Sequence, residues 1–201
     1  MDSKCLLIPL IKDWQSIKSA IRNSIYNTLI KKQTETVSFS DILEYEQPTK
    51  YIVNNTEYSS IATLTPVLTA NKAFILGYTD EANGIYQKGN CIIFDDFTMD
   101  VKYVTFPFKV KSSAIKILTT KKGVNLLFIY EYLRWLNLSS EEHKRHYISE
   151  IGPMTINLPN IETQNRICHI LEILSAKIHN TENLLYLINR QRKYLLQQMF
   201  I

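Results

Sequence analysis

Residues 161–200 read IETQNRICHILEILSAKIHNTENLLYLINRQRKYLLQQMF, and the rest of the chain is organised around them. Apolar side chains recur at Ile167, Leu171, Leu174, Ile178, Leu185, Ile188, Leu195 and Met199, the alternating four-three spacing of a helix that pairs with another helix. Only Thr181 and Arg192 interrupt this seam. Asn160, after Pro159, can cap the start, and Glu162 stands in the first turn where the helix dipole favours a negative charge. At 1.5 Å per residue the helix would be roughly 60 Å long, more than a compact domain needs for its own core. That length suits a spacer or a dimer strut. Ile170, Ile173, Leu184, Leu187 and Leu196 lie off the seam and widen the apolar face, as packing against a globular body would require. On pattern alone both arrangements stay open.

The segment leading into this helix, GPMTINLPNIETQNRICHILEILSAKI from Gly152, resembles the helical region of the specificity subunits of type I restriction-modification systems. In that family a strand-like stretch ending in Leu-Pro runs into a helix opening with Glu-x-Gln-x-x-Ile. Leu158, Pro159, Glu162, Gln164, Arg166 and Ile167 stand at those places, while Thr163 and Asn160 replace an acidic residue and a second proline of the usual pattern. The resemblance implies a recognition subunit without catalysis of its own. A separate modification subunit would hold S-adenosylmethionine and transfer the methyl group, and a separate restriction or translocase subunit would cleave. Family members carry two recognition domains and two such helices related by a pseudo-twofold axis. One of each here implies a half-size form, a homodimer built by an antiparallel helix pair, and a bipartite palindromic DNA site.

The 201 residues, 45% hydrophobic, suit one ordinary domain with an appendage or two small domains. No apolar run approaches the length needed to span a bilayer, and the run at residues 6–11 is too short for a signal peptide, so a cytoplasmic protein is expected. Cys5, Cys91 and Cys168 are odd in number and widely spaced, which reads as reduced thiols. The net charge of +4 does not by itself identify a nucleic-acid binder. Its distribution is more informative: residues 101–130 contain Lys102, Lys109, Lys111, Lys116, Lys121 and Lys122 and no acid, whereas residues 79–100 hold five acids and only Lys88.

Along the chain, Trp14, Ile17, Ile21, Ile25 and Leu29 recur at helical steps from Asp13 to Lys31 and Lys32, an amphipathic helix. Residues 34–40 are a polar connection, Ser40 can cap a short helix through Glu44, and Gln47-Pro48 forces an extended exit. Ser40-Asp41 before Ile42-Leu43 partly matches the Gly-Asp that opens a recognition domain in the resembling family. The stretches 64–70, 73–79, 90–97 and 102–110 are rich in β-branched and aromatic residues and predict four strands, with 111–118 a further strand or connection. Residues 125–138 predict a helix bearing Phe128, Tyr132 and Trp135, and Ser139 or Ser140 before Glu141 and Glu142 resembles another capped helix start.

Few residues suggest catalysis. Asp95-Asp96 with Asp100 and Lys102 is the one cluster resembling a metal-dependent nuclease, but its spacing is poor and DDFTMD reads more simply as a turn. His143 and His146 lack further ligands and read as a solvated basic patch. Cys91 lies in an apolar strand and reads as structural. With five glycines, the chain offers no Gly-rich strand-to-helix turn for a nucleotide or S-adenosylmethionine. No catalytic residue, metal site or cofactor of its own is expected.

Residues 102–116 interleave lysines with aromatics and place Ser112 and Ser113 beside Lys111, the combination that phosphate contact needs. The alternative is a strand pair whose lysines simply face water. The candidate DNA contacts are Lys72, Tyr78, Thr79, Lys102, Lys109, Lys111, Ser112, Ser113, Lys116, Lys121 and Lys122. The expected fold is α+β: an amphipathic helix over residues 1–33, a small, mostly antiparallel sheet with helices forming a DNA target-recognition domain over 34–158, and a long coiled-coil helix over 159–201. The expected partners are double-stranded DNA, a methyltransferase subunit, a restriction or translocase subunit and a second copy of the chain, with no membrane. A coiled-coil adaptor that binds no DNA is the alternative, followed by the nuclease.

Overall fold

The computed structural model describes residues 3–31, 35–69, 73–139 and 145–199. They form two compact units: residues 32–164 in one, residues 1–31 and 165–201 in the other.

The larger unit is α+β. Strands β1 (Glu35–Ser38) and β9 (Thr155–Leu158) form a two-stranded antiparallel ribbon where the chain enters and leaves. Four strands make the main sheet: β2 (Leu43–Glu46), β8 (Ile115–Thr120), β5 (Cys91–Asp95) and β6 (Val101–Val104), in that order and all antiparallel. Its middle strands are covered on both faces, which is why CIIFD and IKIL read as nearly continuous apolar runs. A smaller sheet has the order β4 (Ile75–Thr79), β3 (Thr65–Leu68), β7 (Lys109–Val110), with β3 antiparallel to β4 and parallel to β7. Leu68, Tyr86, Ile93, Phe108, Val110 and Ile117 are among the side chains of the core that joins the two sheets. Helix α3 (Leu126–Leu136) packs on β5 and β6 and buries Phe128, Ile129, Tyr132 and Leu133.

Several boundaries differ from the sequence reading for identifiable reasons. The expected strand over 102–110 is two strands in different sheets, because Phe106-Pro107 interrupts it and proline has no N–H to donate. The short helix α2 (Phe39–Ile42) is capped by Ser38 rather than Ser40: the Ser38 hydroxyl accepts from the Asp41 amide at 3.1 Å, and the Asp41 carboxylate accepts from the Ser38 amide at 3.0 Å. That reciprocal box fixes Asp41 three residues after the cap, and the chain then becomes β2 instead of a longer helix. The helix start expected at Ser139 or Ser140 falls mostly outside the described residues, and only a single π turn at Tyr147–Ile151 follows.

Two polar side chains hold elements of this unit in place. Gln164, buried in the first turn of α4 (Ile161–Met199), accepts from the Asn125 amide at 2.8 Å and donates to the Pro159 carbonyl at 2.8 Å. Asn125 in turn caps α3 by accepting from the Leu127 and Phe128 amides. The Gln of the Glu-x-Gln pattern thus ties the α4 start to the α3 cap. Asp96, buried, accepts from the His146 and Tyr147 amides at 3.1 and 2.9 Å, and its other oxygen lies 3.4 Å from the buried Lys116 ammonium, which also sits over the Tyr45 ring.

The smaller unit consists of α1 (Ser3–Lys31) and α4 from Asn165 onward. Helix α1 begins ten residues before Asp13 and contains Pro9, because Leu7, Ile11 and Trp14 extend the same stripe of reduced exposure towards the N-terminus. On α4, Ile167 and Leu171 are buried and Leu174, Ile178, Leu185 and Ile188 half-buried, whereas Leu195 is exposed and the Met199 side chain lies outside the described residues. Both helices therefore show four-three stripes, and the α4 seam is already partly covered within one chain. This changes the expected use of the seam: no second copy is needed to cover it through Ile188. Among the described residues no helix is long and apolar enough to cross a membrane.

Removing the ammonium from Lys116 (Lys116→Ala) leaves a buried carboxylate without its counter-charge and should cost about 3–5 kcal/mol. The urea midpoint should fall accordingly, and Lys116→Met combined with Asp96→Asn should recover most of it. An unchanged midpoint for Lys116→Ala would show that the pair holds nothing together.

Candidate nucleic-acid interface

The lysines of the basic segment do not share one environment. Lys109 is 2% exposed: its ammonium lies 2.8 Å from the Glu81 carboxylate and donates to the Asn83 carbonyl at 2.6 Å. Lys116 is equally enclosed against Asp96. Neither ammonium is available to a phosphate, so these two expected contacts are corrected: each serves as an internal counter-charge, Lys109 to the half-buried Glu81 and Lys116 to the buried Asp96. Thr79 is also buried, and its hydroxyl accepts from the Glu81 amide at 3.2 Å. The sequence cannot separate such lysines from exposed ones, because a strand between two layers hides both its faces.

The remaining candidates fall into separate groups. Lys111, Ser112 and Ser113 are exposed on the connection from β7 to β8. Lys121 and Lys122 are exposed just after β8, where the Lys121 ammonium donates to the Ser40 carbonyl at 3.1 Å. The six residues of β8 separate the two groups by roughly 20 Å. Lys102 is half-buried on β6, the edge strand opposite Ile93. Tyr78 is half-buried and lines a shallow groove of about 430 Å³ with Thr63, Pro66, Ile75, Phe106 and Pro107. Lys72 lies outside the described residues.

The Lys111 group has neighbours that the sequence reading overlooked. β7 is flanked on one side by β3, with Leu68 opposite Val110 and the Lys111 amide donating to the Leu68 carbonyl at 2.9 Å. On its other side Ile52 bridges Val110 in parallel, and the Val53 amide donates to the Val110 carbonyl at 3.0 Å. Three segments thus run the same way and reach the same end of the sheet: the end of β3 at Leu68, the Lys111–Ser113 connection and the start of the Asn54-Asn55 loop. Asn54 and Asn55 are exposed. The signal available in the sequence was the polar run NNTEYSS between the Pro48 break and the next apolar strand.

Residues 31–190 match the family described as "Type I restriction modification DNA specificity domain". The chain belongs to this family. Members of it are non-catalytic recognition components of restriction systems. The chain is 44% identical, over 158 residues, to the type I restriction enzyme EcoR124I/EcoR124II specificity subunit of Escherichia coli, covering 72% of this chain and 39% of that protein. Among solved structures, the fold is similar to the S subunit of the type I restriction-modification system of M. genitalium, with a TM-score of 0.70 at 13% identity over 98% of this chain and 57% of that one. It is also similar to the HsdS subunit from Thermoanaerobacter tengcongensis, with a TM-score of 0.56 at 13% identity over 97% and 52% of the two chains. The chain therefore spans little more than half the length of these relatives, or less.

The carboxylates considered for a nuclease have structural work instead. Asp95 accepts from the Phe97 and Thr98 amides at 2.8 and 3.1 Å, closing the turn, and Asp96 is enclosed as described. Among the described residues no three His, Cys, Asp or Glu side chains cluster to hold a metal ion. His146 is buried with Nδ1 2.9 Å from a Glu150 oxygen, not part of a solvated patch, and His143 lies outside the described residues. Burial pushes the Cys91 thiol up to about 12, which keeps it protonated and unreactive as its strand position suggested.

If the exposed lysine meets DNA phosphate, Lys111→Ala should weaken binding to a mixed-sequence duplex several-fold and reduce the slope of log affinity against log salt by about 1. Fluorescence anisotropy across a salt series measures both, and an unaltered slope would remove Lys111 from the interface.

Proposed function

We propose that this chain supplies one DNA-reading unit and its helical spacer to a type I restriction-modification complex. What supports the reading is a conjunction: in a family of DNA specificity domains, the exposed Lys111, Ser112 and Ser113 stand beside the exposed Asn54 and Asn55 at one end of one sheet. Lysine and serine suit the phosphate backbone, which gives salt-sensitive affinity, and asparagine suits base edges, which give specificity. The methyl transfer belongs to a separate methyltransferase subunit that holds S-adenosylmethionine, and a restriction subunit completes the complex in the cytoplasm.

A bipartite palindromic site needs a second reading unit, and a second copy of this chain would supply it. The surface for that pairing is the open stripe on α4 formed by Ile170, Ile173, Leu184, Leu187 and Tyr194, which are about half exposed, between 45% and 59%. Glu162, Glu172 and Glu182 lie towards the start of the helix, and Arg190, Arg192 and Lys193 follow with no acid after Glu182. The first half also holds Arg166 and Lys177, so two such helices laid antiparallel set the wholly basic end of each against a mixed half of the other that carries the three acids.

Binding to a mixed-sequence duplex should fall steeply as salt rises, and light scattering should give twice the chain mass. Leu187→Asp should halve that mass without lowering the thermal midpoint, whereas Leu185→Asp, on the covered seam, should lower the midpoint. Salt-independent or absent DNA binding would favour an adaptor, and a monomeric wild type would remove the second copy.

A further inference from the structure

The connection from Tyr51 to β3 has no regular structure of its own, yet it is fixed at two points. At the first, the Glu81 carboxylate accepts from the Asn54 amide at 2.9 Å, the Asn55 amide at 3.1 Å and the Asn54 side chain at 3.2 Å. The same carboxylate meets the buried Lys109 ammonium at 2.8 Å. Hydrogen bonding from Lys109, then from the Asn55 amide, holds Glu81 below the usual carboxylate range. At the second point Ser59 and Tyr78 exchange two backbone hydrogen bonds, of 2.8 and 2.9 Å. Gly77 permits that approach, because a Cβ there would lie 2.6 Å from the Tyr58 Cβ. The loop leaves the small sheet beside β7 and returns beside β4 on the opposite edge.

A buried lysine is a costly way to shape a surface connection, and apolar substitutes for such pairs are often as stable. What the pair secures is geometry: two successive amides pinned by one carboxylate that cannot shift without abandoning the ammonium. Between the two anchors the chain displays Asn55, Thr56 and Glu57 to solvent, and Ser60, just past the second, is exposed as well. No lysine or arginine occurs from residue 51 to residue 71, and Glu57 would be repelled by phosphates. Asn55 Oδ1 accepts from the Glu57 amide at 2.9 Å and shapes the turn, while Thr56 and Glu57 present side chains that suit base edges, Thr the thymine methyl group and Glu the cytosine amino group.

We propose that residues 54–60 are a base-reading loop, and that Lys109 and Glu81 are positioning residues that hold it in the shape required. The proposal rests on the DNA-reading function above, and it divides the labour at that end of the sheet: Lys111, Ser112 and Ser113 take phosphate, and the neighbouring loop takes bases.

The test is selection by the full chain from a duplex library with a randomised core. Wild type should enrich a defined sequence. Thr56→Ala with Glu57→Ala, both exposed, should enrich a sequence altered at one or more base positions, with discrimination there falling roughly 5- to 100-fold. Glu81→Ala should flatten preference at positions read by the loop while leaving the salt slope unchanged, and Glu81→Gln, which still offers an oxygen to the two amides, should restore part of it. Should Glu81→Ala fail to fold, the double variant still decides. If the double variant enriches the wild-type sequence unchanged, the loop does not read bases. If wild type itself enriches nothing, the DNA-reading function fails first, a result distinct from failure of the loop assignment.

Discussion

Two residues of β7 hold in register the half of the larger unit from which the Asn54 and Lys111 connections emerge. Lys109 and Val110 bond β3 on one side, and Val110 bonds the Ile52-Val53 segment on the other. Because all three run in the same direction, their outgoing connections emerge together. Antiparallel pairing on either side would send the connections to opposite ends of the sheet, and Lys111 would be separated from Asn54. A strand this short owes its place to what packs around it: Phe108 stacks on Tyr86, and Val110 is fully enclosed. Pro107, two residues before it, lies in the break after β6 where the chain changes sheets.

The buried charges follow the same logic. Lys109 and Lys116 each carry an ammonium away from water, at a desolvation cost of several kcal/mol offset by a carboxylate partner and further polar contacts. In each case the carboxylate also accepts two backbone amides from a segment without regular pairing: Asn54 and Asn55 for Glu81, His146 and Tyr147 for Asp96. The lysine anchors the acid to a strand, and the acid anchors a loop to the lysine. Charge inside this protein is therefore invested in the shape of its connections.

Much of the fold was legible in the sequence. The long helix from Ile161, the helix bearing Phe128 and Tyr132, and strands at 65–68, 75–79 and 91–95 follow from periodicity, β-branched content and punctuating Pro, Asn and Gly. The short strands β1, β2 and β9 were less visible, since four residues paired to a distant segment leave little periodicity. The site was only partly legible. Alternation marks which faces of a strand differ, but it does not reveal that Lys109 and Lys116 stand in strands covered on both sides. Nor could spacing along the chain show that Asn54 and Lys111, 57 positions apart by subtraction of their numbers, become neighbours through a parallel bridge. The seam of α4 was legible as a pairing surface; its partial cover within one chain goes with a second stripe of reduced exposure, on α1 of the same unit, that starts before Pro9.

The central claim is that DNA meets this chain at the end of the small sheet where residues 54–60 and 111–113 emerge. Amide hydrogen exchange of the full chain, measured at low salt with and without a mixed-sequence duplex, tests it most directly. The account predicts slower exchange on DNA addition in those two segments. Slowing confined to residues 121–124, or to the two long helices, would place the duplex elsewhere and contradict it.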